Sequence, residues 1–355
     1  MKKSIVKRIA IIVTGLSVCC CLNGCNNNNN GINNAFGNNS NDETESASRD
    51  VFAMDTYMTV TAYGKGCETA VDEAIDEINR IDELLSVSNE DSEVYILNES
   101  GSEIVSDDTK KLIEASLDLY EKSAGAYDIT IYPLMVKWGF TTGSYKVPSK
   151  DELSTLLKNV DAGKIEFDKE SGFVSLPNGM QIDLGAIAKG YTSQRIMQIY
   201  ENNGIDCGLV SLGGNIQAYG KKYDDSLWKI AIENPKDTAD YIGVIQVEDK
   251  AVITSGGYER FFEEDGEVYH HIIDPKTGYP AKSGLSSVTI VSDDGMYADG
   301  LSTTLFVMGK EEAVKLWKQS EYDFEMVLVT DEGDIYITDG LKDSFSSEYE
   351  YEVIE

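Results

Sequence analysis

The chain has 355 residues, and 41% of them are hydrophobic, which is enough to build one large or two moderate folded domains. Acidic residues outnumber basic residues by 62 to 30, so the formal net charge is −32. A surface this negative repels the phosphate backbone of a nucleic acid, and it also repels a free nucleotide. The composition therefore argues against nucleic-acid binding and indicates that any nucleotide site would need a local cation.

Residues 1–24 have the pattern of a bacterial secretion signal. A basic start is followed by an apolar stretch from Ile9 to Leu22, which is too short to span a bilayer comfortably. The stretch ends in Leu22-Asn23-Gly24-Cys25, which resembles a lipobox, although Asn23 is larger than the usual residue. We therefore expect cleavage before Cys25 and lipid modification of this residue, which would anchor the chain to the extracytoplasmic face of the cell membrane. An ordinary signal peptide with a chance cysteine stays open as the alternative.

Residues 25–50 are rich in Asn, Gly and Ser, so they predict a flexible tether, which would span roughly 25–30 Å. Residues 51–355 would then form the folded body. Loss of the signal removes four basic residues and no acidic one, which leaves 26 against 62, or −36. Only Cys67 and Cys207 remain in the body, and their separation does not decide whether they form a disulfide.

Helical periodicity is the clearest local signal in the body. Apolar residues at helical spacing predict helices over 71–85, 107–122, 186–203 and 310–319, and a further helix from about Ala298. The pattern Ser149-x-x-Glu152 is a capping box that opens a short helix. These helices are separated by segments with the composition of strands.

Predicted strands fill much of the remaining body. Met54–Tyr63 is rich in Thr, Tyr and Val, and strands dominate from Gly208 to Ile273 and recur at 287–291. Hairpins are predicted over 174–182, around residues 177–179, and over 325–338. The body contains no tandem repeat, P-loop or G-x-G-x-x-G motif. We therefore predict an α+β fold with mixed, mostly antiparallel sheets and packed helices.

Several segments carry side chains suited to chemistry. They are 54–58 (MDTYM), 125–130 (GAYDIT), 182–191 (IDLGAIAKGY), 254–260 (TSGGYER), 270–278 (HHIIDPKTG) and 297–304 (YADGLSTT). In this order and at these separations they resemble the ApbE family of FAD:protein FMN transferases, over about residues 51–340. The resemblance implies a body that binds FAD and Mg²⁺ and attaches FMN to another protein.

Asp299 and Thr303 are four residues apart where a helix should begin, which places both oxygens on one helical face. A carboxylate and a hydroxyl suit Mg²⁺, which takes oxygen ligands and leaves positions for water and substrate phosphates. Spacing alone leaves open that Asp299 is a helix N-terminal charge and that Thr303 only packs. The resemblance implies the metal site, and it adds the backbone carbonyl of Ala186 as a third ligand.

His270 and His271 are the only histidines of the chain. Adjacent residues of a strand point to opposite faces, so one of them at most reaches a given site. The resemblance selects His271, which would accept the proton of an attacking hydroxyl as general base. A hydrogen-bonded structural role stays open for both histidines, and we expect it for His270.

The resemblance also implies a set of FAD-binding residues. They are Met54, Ala126, Tyr127, Asp128, Asp183, Lys189 and Ile273. Asp183 would bind polar groups of the nucleotide and Lys189 would offset phosphate charge, although some family members carry Glu at that position. Met54 and Ile273 could equally be ordinary core residues. At one position where family members commonly have an aromatic residue in contact with FAD, this sequence has Ser88, so stacking on FAD would be weaker there.

These features predict a lipid-anchored FAD:protein FMN transferase. A Thr or Ser hydroxyl of an extracytoplasmic or membrane flavoprotein would attack the FMN phosphorus of FAD and release AMP, with Mg²⁺ neutralising the developing charge. Two alternatives remain. One is an FAD pyrophosphatase that uses water as nucleophile, and the other is a lipoprotein that binds flavin or another solute without catalysis. Asp299, Thr303 and His271 argue against the second, since a pure binder needs neither metal nor base.

Overall fold

The computed structural model describes residues 45–177, 179–319 and 321–355, so the predicted signal, Cys25 and the tether up to residue 44 lie outside the described residues. The α-helices among them are α1 Cys67–Leu85, α2 Glu93–Ser100, α3 Asp107–Lys122, α4 Tyr132–Trp138, α5 Lys150–Leu156, α6 Gly185–Asn203, α7 Gly295–Met308 and α8 Lys310–Gln319. The strands are β1 Ser46–Ala53, β2 Thr56–Tyr63, β3 Ser102–Ile104, β4 Glu166–Asp168, β5 Phe173–Ser175, β6 Cys207–Leu212, β7 Asn215–Tyr219, β8 Trp228–Asn234, β9 Asp237–Val247, β10 Ala251–Gly256, β11 Phe261–Glu264, β12 Glu267–His270, β13 Leu285–Ser292, β14 Glu325–Thr330, β15 Ile335–Thr338, β16 Phe345–Ser346 and β17 Tyr351–Ile354.

A nine-stranded sheet forms the centre of the body, in the order β1-β2-β6-β7-β10-β13-β14-β15-β17. Its neighbouring strands are antiparallel except for β15 and β17, which are parallel. Helices α1, α6 and α7 pack on one face, and the small sheet β16-β9-β8 packs on the other. The predicted α+β class is confirmed.

The two faces of the central sheet belong to different cores because side chains alternate along a strand. On β10, Ile253 packs toward the helices, whereas Val252 packs toward the small sheet. On the helical side, α1 presents a stripe of buried residues that includes Ile78, which is fully buried. Truncation of such a residue to alanine costs about 2–5 kcal/mol. This core holds the sheet and the helices as a rigid frame for the site.

The most periodic elements follow the sequence closely. Helices α3 and α8 have the predicted bounds, and α6 begins one residue earlier than predicted. The capping box is present, since Ser149 Oγ accepts from the Glu152 amide and the Glu152 side chain accepts from the Ser149 amide. The strands at 287–291 and the hairpin of β14 and β15 are also confirmed, with small extensions.

Other boundaries were predicted wrongly. Strand β1 pairs along its length with β2, so residues 46–50 belong to the sheet and not to the tether. Strand β5 pairs with β3 and β4, and no strand of the described chain continues it to Ile182, so the hairpin over 174–182 is absent. The helix predicted from about Ala298 begins earlier, at Gly295, because the Asp294 side chain accepts a hydrogen bond from the Tyr297 amide and caps the helix there.

Cys67 and Cys207 are both buried and carry free thiols. Burial raises the pKa of each thiol, to about 11 for Cys207, so neither is an activated nucleophile. Among residues 45–355, leaving aside the two undescribed positions, no helix is both long enough and apolar enough to cross a membrane.

Candidate active site

A cleft of about 1660 Å³ opens where β1 and β2, the N-terminus of α6, the β6–β7 turn, β10 and α7 meet. All of the predicted site residues within the described chain line this cleft. They are Met54, Ala126, Tyr127, Asp128, Asp183, Ala186, Lys189, His271, Ile273, Asp299 and Thr303. The fold therefore brings residues that are far apart in sequence, from Met54 to Thr303, together in one cleft.

The lining of the cleft is strongly acidic. Among the described residues, ten acidic side chains and only two basic ones, Lys189 and Arg260, belong to it. The acidic residues are Asp50, Asp55, Asp82, Asp128, Asp183, Glu233, Glu259, Glu263, Glu264 and Asp299. Such a cleft repels a diphosphate unless a cation is added.

Helices α6 and α7 approach so closely that only glycine fits between them. A Cβ on Gly190 would lie 2.1 Å from the Gly295 carbonyl oxygen and 2.6 Å from the Asp299 Cβ. The Gly190 amide donates to Asp299 Oδ2 at 2.8 Å. The crossing therefore holds the Asp299 carboxylate directly beside the second turn of α6.

Asp299 and Thr303 occupy successive turns of α7 and both line the cleft. Asp299 is 3% exposed and lies in the second turn of the helix, behind the Asp294 cap, so it is not the N-terminal charge. The Thr303 hydroxyl lies 3.3 Å from Ser255 Oγ on β10. A carboxylate and a hydroxyl thus face the same end of the cleft.

The carbonyl of Ala186 lies in the first turn of α6, and Ala186 lines the same cleft as this pair. In a regular helix its partner is the amide of Gly190, and that amide donates to Asp299 Oδ2 at 2.8 Å. Described residues contain no group of three or more His, Cys, Asp or Glu side chains that could hold a metal. A site with one carboxylate, one hydroxyl and one carbonyl fits Mg²⁺, which keeps waters and phosphate oxygens in its other positions.

His271 lies in the wall of the cleft, and its ring orientation is fixed by one carbonyl. Its amide donates to the Arg260 carbonyl oxygen at 3.0 Å, and its Nδ1 lies 3.2 Å from the same oxygen. Because a carbonyl only accepts, Nδ1 carries the proton and Nε2 keeps a free lone pair. Although part of the ring faces the cleft, the surrounding protein and Arg260 lower the pKa of His271 to about 3. The ring is therefore a neutral base at physiological pH.

His270 points away from the cleft, as the alternation of a strand predicts. Its Nε2 lies 3.0 Å from the Ala281 carbonyl oxygen, and its Nδ1 accepts from the Ile272 amide at 3.3 Å. Its ring packs edge-on against Phe306 of the core. Both ring nitrogens are satisfied, so His270 has no lone pair for catalysis.

Met54 lies in the turn between β1 and β2. Met54 and Asp55 have φ values of 48° and 59°, an unusual conformation for residues other than glycine. The Met54 side chain packs between two clusters of the core, while the turn faces the cleft. Asp82 of α1 lies nearby, and burial raises its pKa against the opposing effect of the Met54 amide. The turn is thus held in a strained shape at the edge of the site.

The segment 126–128 uses its side chains for structure. Asp128 Oδ1 accepts from the Thr130 amide at 2.8 Å and from the Thr130 hydroxyl at 2.6 Å, and its Oδ2 accepts from the Ala162 amide at 3.2 Å. Tyr127 is buried, which raises the pKa of its hydroxyl. Ala126 is also buried. The segment therefore presents mainly its backbone and the ring of Tyr127 to the cleft.

Asp183 is tied to this segment and to α6. Its amide donates to the Ile129 carbonyl oxygen at 2.8 Å, and its Oδ1 accepts from the Gly185 amide at 2.7 Å. Desolvation raises the pKa of Asp183, and the charges of Arg260 and Lys189 oppose this. Ile273, 3% exposed, closes the cleft beside it from an aromatic cluster.

Glu259 is a cleft residue to which the sequence assigned no role. Its side chain is exposed to the open cleft, but desolvation by the surrounding protein still raises the pKa of its carboxyl group to about 8, against the opposing charge of Lys189. A second unassigned residue is Tyr132, whose hydroxyl lies 3.4 Å from the Val87 carbonyl oxygen. This places an aromatic ring beside Ser88, where the sequence lacks one. Glu259 lies in the segment 254–260 that the sequence singled out, but the segment alone gave it no role, and Tyr132 belongs to no distinctive pattern.

Comparisons with known proteins identify the family of this chain. The ApbE family model matches residues 54–328. The FAD:protein FMN transferase of Treponema pallidum is 35% identical over 77% of this chain and 81% of its own length, and that of Haemophilus influenzae is 33% identical over 82% and 89%. The crystal structure of the ApbE protein of Thermotoga maritima superposes with a TM-score of 0.79, at 34% identity, over 84% of this chain and 98% of that one. The flavin transferase ApbE of Vibrio cholerae gives 0.76 at 28% identity, over 85% and 99%. The chain therefore belongs to the ApbE family.

Proposed function

We propose that this protein is an FAD:protein FMN transferase that works with Mg²⁺. The observation that carries the proposal is the pairing, in one cleft, of a neutral His271 with the oxygen ligands Asp299 and Thr303. Relatives that bear this name cover most of the chain, which supports the same reaction. A pure flavin binder needs neither a base nor a metal site.

The reaction follows from these groups. A Thr or Ser hydroxyl of the acceptor protein attacks the FMN phosphorus, a new P–O bond forms, and the bond between that phosphorus and the AMP oxygen breaks. His271 Nε2 takes the hydroxyl proton, and AMP leaves with the bridging oxygen. Bound Mg²⁺ would neutralise charge on the diphosphate. The residues that would hold it are Asp299, Thr303 and, through its carbonyl, Ala186.

The remaining residues orient FAD. Lys189 supplies a positive charge near Asp183, Glu259 and His271, since it opposes the rise in the pKa of both acids. We assign it to the phosphates. The turn at Met54, the 126–128 segment and Ile273 would enclose the flavin or adenine, as apolar walls with few polar groups usually do.

We further propose that the chain is anchored by lipid on Cys25, at the extracytoplasmic face of the membrane. The support is the pattern Leu22-Asn23-Gly24-Cys25 after a basic and apolar start. A tether between the lipid and β1 would keep the cleft near membrane flavoproteins, which we propose as acceptors. Mass spectrometry of the mature N-terminus tests this, and a mature chain without lipid mass would contradict it.

Hydrolysis is the competing reaction, because the cleft is open and Glu259 and Arg260 are exposed at its wall. Transfer prevails only if the acceptor displaces water and holds its hydroxyl against the phosphorus. The decisive experiment incubates the protein with FAD, Mg²⁺ and a candidate acceptor. We expect one FMN mass on the acceptor and an equal amount of AMP, with much slower AMP release when acceptor is omitted. Equal AMP release in both samples, without flavin on any protein, would establish a pyrophosphatase instead.

A further inference from the structure

Asn215 is a buried polar residue of the cleft whose amide lacks a partner. It begins β7, is 2% exposed, and lines the cleft. Its Nδ2 has no hydrogen-bond partner within the described chain. Burial of an amide donor without an acceptor is costly, so native proteins rarely keep one without a reason. The residue has no place in the roles assigned so far.

The strand register places Asn215 on the floor of the metal end of the cleft. Ala251 of β10 pairs with Gln217 and Val252 pairs with Ile216, so the same register sets Asn215 opposite Ile253. Asn215 and Gln217 point to the same face, and Gln217 Oε1 accepts from Ser193 of α6 at 2.6 Å. Asn215 therefore faces the helices α6 and α7.

The neighbouring strand carries the contact to the predicted metal ligand. Ser255 lies on the same face of β10 as Ile253, and its hydroxyl lies 3.3 Å from Thr303 Oγ1 and 2.8 Å from Ser302 Oγ. Asn215 is thus on the sheet surface that also contacts Thr303. Lys189 and Asp299 border the same cleft from the helices.

The turn before Asn215 leaves room for a ligand. Gly213 and Gly214 have φ values of 59° and 94°, which suit a two-residue hairpin turn. A Cβ on Gly214 would meet no heavy atom within 4 Å, so the turn is open on that side. Glycine at such a point lets a ligand approach the backbone closely.

We propose that the Asn215 carboxamide donates a hydrogen bond to a phosphate oxygen of FAD, and that Asn215 is a further substrate-binding residue beside the metal. This rests on the proposed function. A phosphate oxygen is the suitable partner because the residue lies at the end of the cleft that carries Asp299, Thr303 and Lys189. A neutral donor also suits this place, since the described part of the acidic lining offers only two cations, Lys189 and Arg260.

The test compares two ligands that separate the diphosphate from the flavin. ADP carries a diphosphate and no flavin, whereas riboflavin carries the flavin and no phosphate. Dissociation constants for both are measured by calorimetry in the presence of Mg²⁺, on wild type, Asn215→Ala and the isosteric Asn215→Asp. Ser287→Ala is the matched control, because Ser287 Oγ is also buried without a partner but does not line the cleft.

We expect Asn215→Ala to weaken ADP binding by about tenfold or more and to change riboflavin binding by less than twofold. Asn215→Asp should weaken ADP binding further, because it adds a negative charge, and Ser287→Ala should bind both ligands like wild type. An unchanged affinity for ADP in both Asn215 variants, or an equal loss for ADP and riboflavin, would overturn the inference. Wild type that binds neither ADP nor riboflavin would overturn the proposed function itself. Asn215→Asp preserves the shape of the side chain, so it decides the matter if the alanine variant fails to fold.

Discussion

The crossing of α6 and α7 at Gly190 is predicted to set both the stability of the body and the metal affinity. In Gly190→Ala the new Cβ would lie 2.1 Å from the Gly295 carbonyl oxygen, far inside van der Waals contact, and neither backbone can turn aside. Overpacking of this kind costs typically 1–3 kcal/mol and sometimes more, while removal of a helical glycine returns about 1 kcal/mol. We expect a net loss of about 2 kcal/mol in the free energy of unfolding.

Relief of the clash requires the helices to move apart, which separates the Gly190 amide from Asp299 Oδ2, now 2.8 Å away. The half-saturating Mg²⁺ concentration for FMN transfer should therefore rise in Gly190→Ala. Urea denaturation measures the loss in the free energy of unfolding, and a Mg²⁺ titration of activity measures the half-saturating Mg²⁺ concentration. Both measurements are made well below the melting temperature.

Gly300→Ala is the matched control for this substitution. Gly300 also lies inside a helix, but its added Cβ would meet mainly Leu119 Cδ1, at 2.3 Å, and the end of a leucine side chain can give way. We expect its stability to change by no more than about 1 kcal/mol and its Mg²⁺ dependence to stay near wild type. A Gly190→Ala protein as stable as Gly300→Ala, with the Mg²⁺ response of wild type, would refute the role of the crossing.

Three further predictions concern single side chains of the cleft. Asp299→Asn should abolish transfer, because it removes the one charged ligand proposed for Mg²⁺. Thr303→Ala should reduce transfer less than Asp299→Asn does. Full activity of wild type in excess chelator would contradict the metal site. His271→Gln should lower turnover by roughly 10²–10⁴-fold, because it removes the general base. In wild type, the pH profile of kcat/KM should show no acid limb near pH 6.5, since the pKa of His271 is lowered to about 3. An acid limb near 6.5 that His271→Gln removes would show that the pKa of His271 keeps its usual value, against the lowered pKa that its surroundings imply. The folded-state pKa of Glu259, about 8, lies above the usual value, so between about pH 5 and 8 the unfolded chain has lost a proton that the folded chain keeps. The stability of wild type relative to Glu259→Gln should therefore fall as pH rises through this window, and urea melts at pH 5 and pH 8 that give equal differences would reject the assigned pKa.

Local patterns predicted the elements whose stability is mostly local. The helix at 107–122 has strong apolar periodicity and a polar start, and the short helix after Ser149 has a complete capping box, so both could be predicted from neighbouring residues alone. Strand β1 could not, because Ser46–Asp50 is polar and becomes a strand only through pairing with β2. Its edge position, with one neighbour in the sheet, tolerates such a composition.

The candidate site was predicted as a set of residues, but not as a geometry. The order of the motifs pointed to Asp299, Thr303 and His271, whereas the contact of Asp299 with Gly190 depends on how two helices cross. Strand alternation predicted that only one of the two histidines could reach the site, and the family motif selected His271; His270, the last residue of β12, points away from the cleft. Asn215 was missed because a Gly-Gly-Asn turn is common, and only the pairing of β7 with β10 brings it to the cleft.

The composition of the cleft has a consequence for how Mg²⁺ and FAD must bind. The proposed metal site offers one carboxylate, one hydroxyl and one carbonyl, so the metal is held weakly until a diphosphate adds its oxygens. Conversely, ten acidic residues and two basic ones of the described chain line the cleft, so the diphosphate would be repelled until the proposed metal is present. Each ligand therefore raises the affinity of the other, and thermodynamic linkage requires the two factors to be equal. Titration of ADP with and without Mg²⁺, and of Mg²⁺ with and without ADP, measures both factors after correction for the Mg²⁺–ADP complex in solution. Asp299→Asn should bring both factors close to one, and a coupling that survives this substitution would place the metal elsewhere in the cleft.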